Sequence, residues 1–194
     1  MIKVGITGGI GSGKSLICEV FAQAGYPVYN ADDRAKFLIT NDEVLKSAVV
    51  KLLGEEAFVD GEYNRRFVAG KVFSNDSLLN GLNALVHPKV DEDFARFAKE
   101  DRSAIVFKES ALLYETEGYK NLHATIYMSS PTALRIERIM KRDAFRTEEE
   151  IINIIDKQIP ESKAVLLADY IVVNDEVESI LEQVNEIEEI LLLE

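Results

Sequence analysis

The sequence predicts an α/β fold: a five-stranded parallel sheet flanked by helices, with a helical insertion and a helical lid. Three observations support this. Short apolar runs of strand length alternate with stretches of helical periodicity. A glycine-rich turn joins the first of those runs directly to the first helical stretch. A long central stretch shows helical spacing alone, so it reads as an insertion beside the sheet.

Residues 2–7 (Ile-Lys-Val-Gly-Ile-Thr) form the first strand. Glycines follow, and residues 14–24 repeat apolar side chains at helical spacing through Ile17, Val20, Phe21 and Ala24 until Gly25 stops the helix. Pro27-Val28-Tyr29 is the second strand. Asp32 follows and can cap a helix running through Ala35, Lys36 and Leu38. From 41 to 100 the spacing of Val44, Leu45, Ala48, Val49 and Leu52, and then of Leu78, Leu79, Leu82, Leu85 and Val86, predicts helices without strands, with a turn at Asp60-Gly61. Strands return at 104–107 and 124–128. Pro131 opens a helix at a tolerated early position, 170–173 is the fifth strand, and 177–191 is a closing amphipathic helix. The expected organisation is one folding unit of 194 residues, with a core of 1–40 and 101–194, an insertion at about 41–100 and a lid at about 134–160.

Composition narrows the class. The net charge of −12 argues against general nucleic-acid binding, which needs a basic face, but leaves room for a small anionic ligand in a local positive pocket. The single cysteine, Cys18, allows no intrachain disulfide and lies among Leu16, Ile17, Val20 and Phe21, where a buried thiol is expected rather than a nucleophile. There is no secretory signal pattern and no apolar run of membrane-spanning length, so the expectation is a cytoplasmic protein with no membrane partner.

Residues 8–15, Gly-Gly-Ile-Gly-Ser-Gly-Lys-Ser, match G-x-x-x-x-G-K-[ST] at each fixed position, between a strand and a helix as that motif requires. This is the phosphate loop of a P-loop kinase fold. Gly9, Gly11, Ser12 and Gly13 supply backbone that can turn its amides into one concavity. The helix that follows adds its positive end. Lys14 neutralises the β- and γ-phosphates, Ser15 offers a hydroxyl to Mg²⁺, and the Leu16 amide lies in the first helical turn, placed for the α-phosphate. The guanine-nucleotide motifs D-x-x-G and N-K-x-D are absent, which favours ATP and a kinase whose acceptor takes the place of water.

An acceptor hydroxyl needs a carboxylate. Asp32 follows the second strand, at the sheet edge where α/β folds bind ligands, although by itself it reads equally as a helix N-cap, and Asp33 is adjacent. Glu109 ends the third strand and either holds Mg²⁺ through water or is a plain strand-end carboxylate. Arg135, Arg138 and Arg142 share one helical face, as lid cations or as a solvated basic face paired with Glu137 and Asp143. These residues leave open whether the acceptor is a nucleoside, a nucleotide or a sugar acid, and whether the chain is an ATP-dependent binding module.

Beyond the loop, the chain resembles the dephospho-CoA kinases nearly end to end. The resemblance rests on Thr7 to Ser15, Ala31-Asp32, Asp60-Gly61 followed by Arg65-Arg66, and Phe73-Ser74-Asn75. It continues through Leu82-Asn83-Ala84-Leu85-Val86-His87-Pro88, Leu112-Leu113-Tyr114-Glu115, Arg138, Arg142-Asp143, Gln158, Ala168-Asp169-Tyr170 and Asn174. It implies transfer of phosphate from ATP to the 3′-hydroxyl of dephospho-CoA. Asp32 is then the base or the hydroxyl's anchor, Lys14, Arg138 and Arg142 act on the transferred group, and Asn174 lies near adenine. Arg65 and His87 lie near dephospho-CoA in the 41–100 insertion. A monomer is favoured.

The chain departs from that family's pattern in four places. Asn30 stands where the family has a first aspartate, Leu16 where it has threonine, and Val173 where it often has aspartate; Lys108-Glu109-Ser110 replaces an apolar-proline form.

Overall fold

The computed structural model describes residues 1–73 and 75–193; Ser74, within the Phe73-Ser74-Asn75 segment, and Glu194 lie outside the described residues. In chain order the elements are β1 (Ile2–Gly8), α1 (Lys14–Gln23), β2 (Val28–Asn30), α2 (Ala31–Asn41) and α3 (Glu43–Leu53). There follow β3 (Phe58–Val59), β4 (Glu62–Tyr63), α4 (Arg65–Val72), α5 (Asp76–Glu100) and β5 (Ile105–Glu109). The chain ends with β6 (Ala124–Ser129), α6 (Thr132–Arg142), α7 (Glu148–Asp156), α8 (Glu161–Leu167), β7 (Tyr170–Val173) and α9 (Ile180–Leu192). By contacts it divides into two compact units, Met1–Tyr29 with Asp101–Glu194, and Asn30–Glu100.

The first unit is built on the expected five-stranded sheet, in the order β2-β5-β1-β6-β7. β1 runs parallel to β5 from Ile2↔Ile105 to Ile6↔Glu109 and parallel to β6 from Val4↔Ala124 to Gly8↔Met128. β6 is parallel to β7. Parallel strands are covered on both faces, so they read as apolar runs. Val4, Ile6, Phe107, Ile126, Met128 and Val172 pack with Ile17 and Phe21 of α1 and with Val184, Ile187 and Leu191 of α9. Phe21 stacks on Phe107 with centroids 3.8 Å apart. Each such side chain contributes about 1.5–3 kcal/mol through burial, which anchors α1 and with it the loop before it. Because all five strands run the same way, their C-terminal ends share one edge, so Gly8, Glu109, Ser129 and Val173 end there. α9 starts later than the expected 177. The Asp175 carboxylate accepts from the Val177 and Glu178 amides at 2.9 Å, making a turn first, and Ser179 then caps the helix.

The second unit is mainly helical, with α3 and α5 packed against each other and α2. It also contains the β3–β4 hairpin, paired Phe58↔Tyr63 and Val59↔Glu62. This corrects the strand-free expectation for 41–100. Strands of two residues are too short to show a period-two pattern, although the turn itself was legible. Asp60 and Gly61 have φ of 52° and 85°, the left-handed pair that a two-residue hairpin turn needs. The contact boundary falls at Asn30, ahead of α2, whereas the sequence places the insertion's start at about 41. The cap of α2 also differs from expectation. Asn30 is the N-cap, its side-chain oxygen accepting from the Asp33 amide at 2.8 Å, so Asp32 sits inside the first turn and is not the cap.

Candidate active site

The phosphate loop spans the turn from β1 into α1. Gly11 and Gly13 adopt φ of 77° and 100°, which side chains strain against, so these two glycines allow the loop to close. The Ser12 amide donates to Gly9 O at 3.1 Å and the Leu16 amide to Gly13 O at 2.9 Å. The Leu16 N–H expected at the α-phosphate is thus engaged in the helix's own first turn. Lys14 curls over the loop, its Nζ donating to Gly8 O at 2.9 Å and Gly9 O at 3.3 Å.

Two features fit this cradle to a triphosphate. α1, with Gly13 as its N-cap, has no side-chain cap and no acidic residue in its first turn; α6 and α8, which follow Pro131 and Pro160, also lack a capping side chain, whereas α2, α3, α4, α7 and α9 have one. The end of α1 is left for an external anion. The Ser12 hydroxyl, in addition, is buried with no hydrogen-bond partner among the described residues. Ser15, in the same first turn, is exposed.

Around the loop, α6 presents the three arginines differently. Arg135 is buried; its Nε donates to Ile10 O at 2.9 Å and its Nη2 to Gln158 Oε1 at 3.2 Å. The same Gln158 oxygen accepts from the Ile10 amide at 2.8 Å. Arg138 donates to Ser130 Oγ at 3.1 Å, to Asn174 Oδ1 at 3.0 Å and to Glu176 at 3.3 Å. Asn174, buried just past β7, donates its own amide to Ser12 O at 2.7 Å. Arg138, Asn174 and Ser12 therefore form one chain of bonds ending on the loop. Arg142 is outside that chain, exposed and paired with Asp143 at 2.9 Å. Asp143 is held below the usual carboxylate range, first by its bond from Arg142.

Glu109 is buried at the end of β5. Burial pushes the nearby Cys18 thiol up to about 12, with the Glu109 charge adding to the rise and Lys14 opposing it. That agrees with an inert core cysteine.

Asp32, Arg65 and His87 belong to the second unit. Asp32 is exposed, two residues past the end of β2; Arg65 is exposed at the start of α4; His87 is half-buried in α5, just before Pro88. Among the described residues no cluster of three His, Cys, Asp or Glu side chains could hold a metal ion. No described helix is long and apolar enough to cross a membrane.

A family model for dephospho-CoA kinase matches residues 2–179. The chain belongs to the dephospho-CoA kinase family. Similar relatives include the dephospho-CoA kinase of Porphyromonas gingivalis, 35% identical over 90% of this chain and 86% of that one. A crystal structure from Thermus thermophilus superposes with a TM-score of 0.84 at 31% identity, covering 99% of this chain and 96% of that one. The dephospho-CoA kinase from Campylobacter jejuni shares the fold, with a TM-score of 0.67 at 23% identity over 96% and 95% of the two chains.

Within this dephospho-CoA kinase family member, the distinct place of Arg135 was not read from the sequence. Periodicity put it on one face with Arg138 and Arg142 and did not separate a buried brace from an exposed ion pair. Gly9 was the available signal, a glycine at a position that the loop motif leaves free.

Proposed function

We propose that this chain transfers the γ-phosphoryl group of ATP to the 3′-hydroxyl of dephospho-CoA, giving CoA and ADP, the last step of coenzyme A biosynthesis. The observation that carries this reading is the family match across residues 2–179, on a chain whose phosphate loop leaves its helix end uncapped.

The residues divide the work as follows. The loop backbone from Gly9 to Ser15 binds the phosphates, and Lys14 leaves its loop carbonyls to neutralise the β- and γ-oxygens. Asp32 orients the 3′-hydroxyl and takes its proton. The hydroxyl oxygen bonds to the γ-phosphorus as the bond from that phosphorus to the β–γ bridging oxygen breaks, and ADP leaves with that oxygen. Asp32 suits this role because it lies exposed in the first turn of α2, just past the end of β2. Arg138 and Arg142 balance charge on the transferred group, Asn174 supports the nucleotide side, and Arg65 and His87 contact dephospho-CoA. Ser15 and phosphate oxygens would hold Mg²⁺, which supplies further charge neutralisation when bound. We read the enzyme as cytoplasmic and monomeric, its substrates being small metabolites and its one cysteine being unpaired.

The test is coupled ADP release with and without dephospho-CoA. ADP formation that depends on dephospho-CoA and yields CoA is expected. Phosphorylation of a nucleoside or sugar acid with none of dephospho-CoA would reject the assignment.

A further inference from the structure

The loop glycines are of two kinds. Gly11 and Gly13 need glycine for their backbone, whereas Gly9, which like Gly11 occupies a free position of the motif, is not left-handed. What Gly9 provides is room. A Cβ there would run into the Arg135 guanidinium, and one at Gly11 would come within 2.8 Å of the Arg135 carbonyl oxygen. Helix α6 therefore lies directly against the loop.

Arg135 reaches the loop with a side chain only 5% exposed. A guanidinium buried this deeply is costly unless its donors are used. Its Nε bonds Ile10 O, its Nη2 bonds Gln158 Oε1, and that oxygen also receives the Ile10 N–H. Both polar groups of Ile10 are thus held in one closed ring. The neighbouring Ile159 amide donates to Glu115 at 3.1 Å, which fixes the segment carrying Gln158. A ring of this kind favours one loop geometry over others, because a planar fork fits it without further ordering.

We propose that Arg135, with Gln158, is a positioning residue for the phosphate loop: the pair holds the Ile10 backbone so that the loop's amides are set before the triphosphate arrives. This rests on the reading of the loop as the ATP site, and it does not depend on the acceptor.

The test is ATP affinity, measured by calorimetry on the folded full chain without acceptor, beside steady-state kinetics. Arg135→Ala and Gln158→Ala are each expected to weaken ATP binding about 10- to 100-fold, the range set by losing bonds to a charged group. The KM for dephospho-CoA should stay within about twofold, and Arg135→Lys should recover part of the loss. Gly9→Ala should weaken ATP binding like Arg135→Ala, and the double variant should be little worse than Arg135→Ala alone. If Arg135→Ala does not fold, Gln158→Ala and Gly9→Ala carry the same expectation. ATP affinity within about twofold of the unaltered chain in folded Gln158→Ala and Gly9→Ala, with only the melting temperature lowered, would overturn the proposal. Because these titrations contain no acceptor, failure of the unaltered chain to phosphorylate dephospho-CoA would count against the proposed function and leave this result standing.

Discussion

Arg135 in one unit and Asp93 in the other are almost equally buried, at 5% and 4% exposure, yet they are used differently. Asp93 accepts from Arg34 at 2.7 and 2.9 Å and from Arg96, so its charge ties α2 to α5 and stays within the framework. Arg135 spends its donors on the backbone of a loop shaped for a ligand and on a glutamine bonded to that same backbone. Burial of a charge marks an expensive arrangement, and the nature of its partners tells whether the arrangement serves the fold or the site. On this view the second unit's buried charge is structural, while Asp32, the carboxylate proposed as the base, lies on its exposed surface.

The largest effect that would break this contrast is on turnover. Asp32→Ala is expected to lower kcat by about 10²–10⁴ while leaving ATP affinity within about twofold. Near-normal kcat would remove Asp32 from the mechanism. Asp93→Ala should behave in the opposite way. It should lower unfolding free energy by about 1–3 kcal/mol in urea titration, moderated because both arginine heads can regain water, with kcat per folded molecule unchanged. A loss of kcat beyond that of stability would make Asp93 part of the site. The smallest effect concerns Asp42, the N-cap of α3, whose pKa is lowered first by the Leu45 amide. A carboxyl with a depressed folded pKa contributes its full stability above its unfolded value and loses it as pH falls through the folded one. Asp42→Ala should therefore cost about 1 kcal/mol at pH 7, and less once the pH is below the ordinary value of 3.8. An equal cost at both ends would show that the charge is irrelevant.

The sheet was legible because parallel strands leave apolar runs, and residues 170–173 coincide with β7. The phosphate loop was legible because its motif fixes Gly8, Gly13, Lys14 and Ser15, and Gly13 sits at a φ of 100° that side chains strain against. The β3–β4 hairpin was not, because two residues show no alternation. The cap of α2 was misread because Asn30 and Asp32 are both capping residue types, and the backbone decided between them. The arginine face of α6 was visible as a face. The burial of Arg135, which sets it apart from Arg138 and Arg142, uses the room left by a missing Cβ more than a hundred residues earlier, at Gly9.

The state of Cys18 has a practical consequence. It is the sequence's one cysteine, and a thiol held at about 12 is ionised in only about one molecule in 10⁵ at neutral pH. Its raised pKa and partial burial make Cys18 a slow target for maleimides and similar probes. A cysteine introduced at Phe145, which is 80% exposed between α6 and α7, would be the one reactive handle, so a dye could be placed beside the arginine helix without altering Cys18.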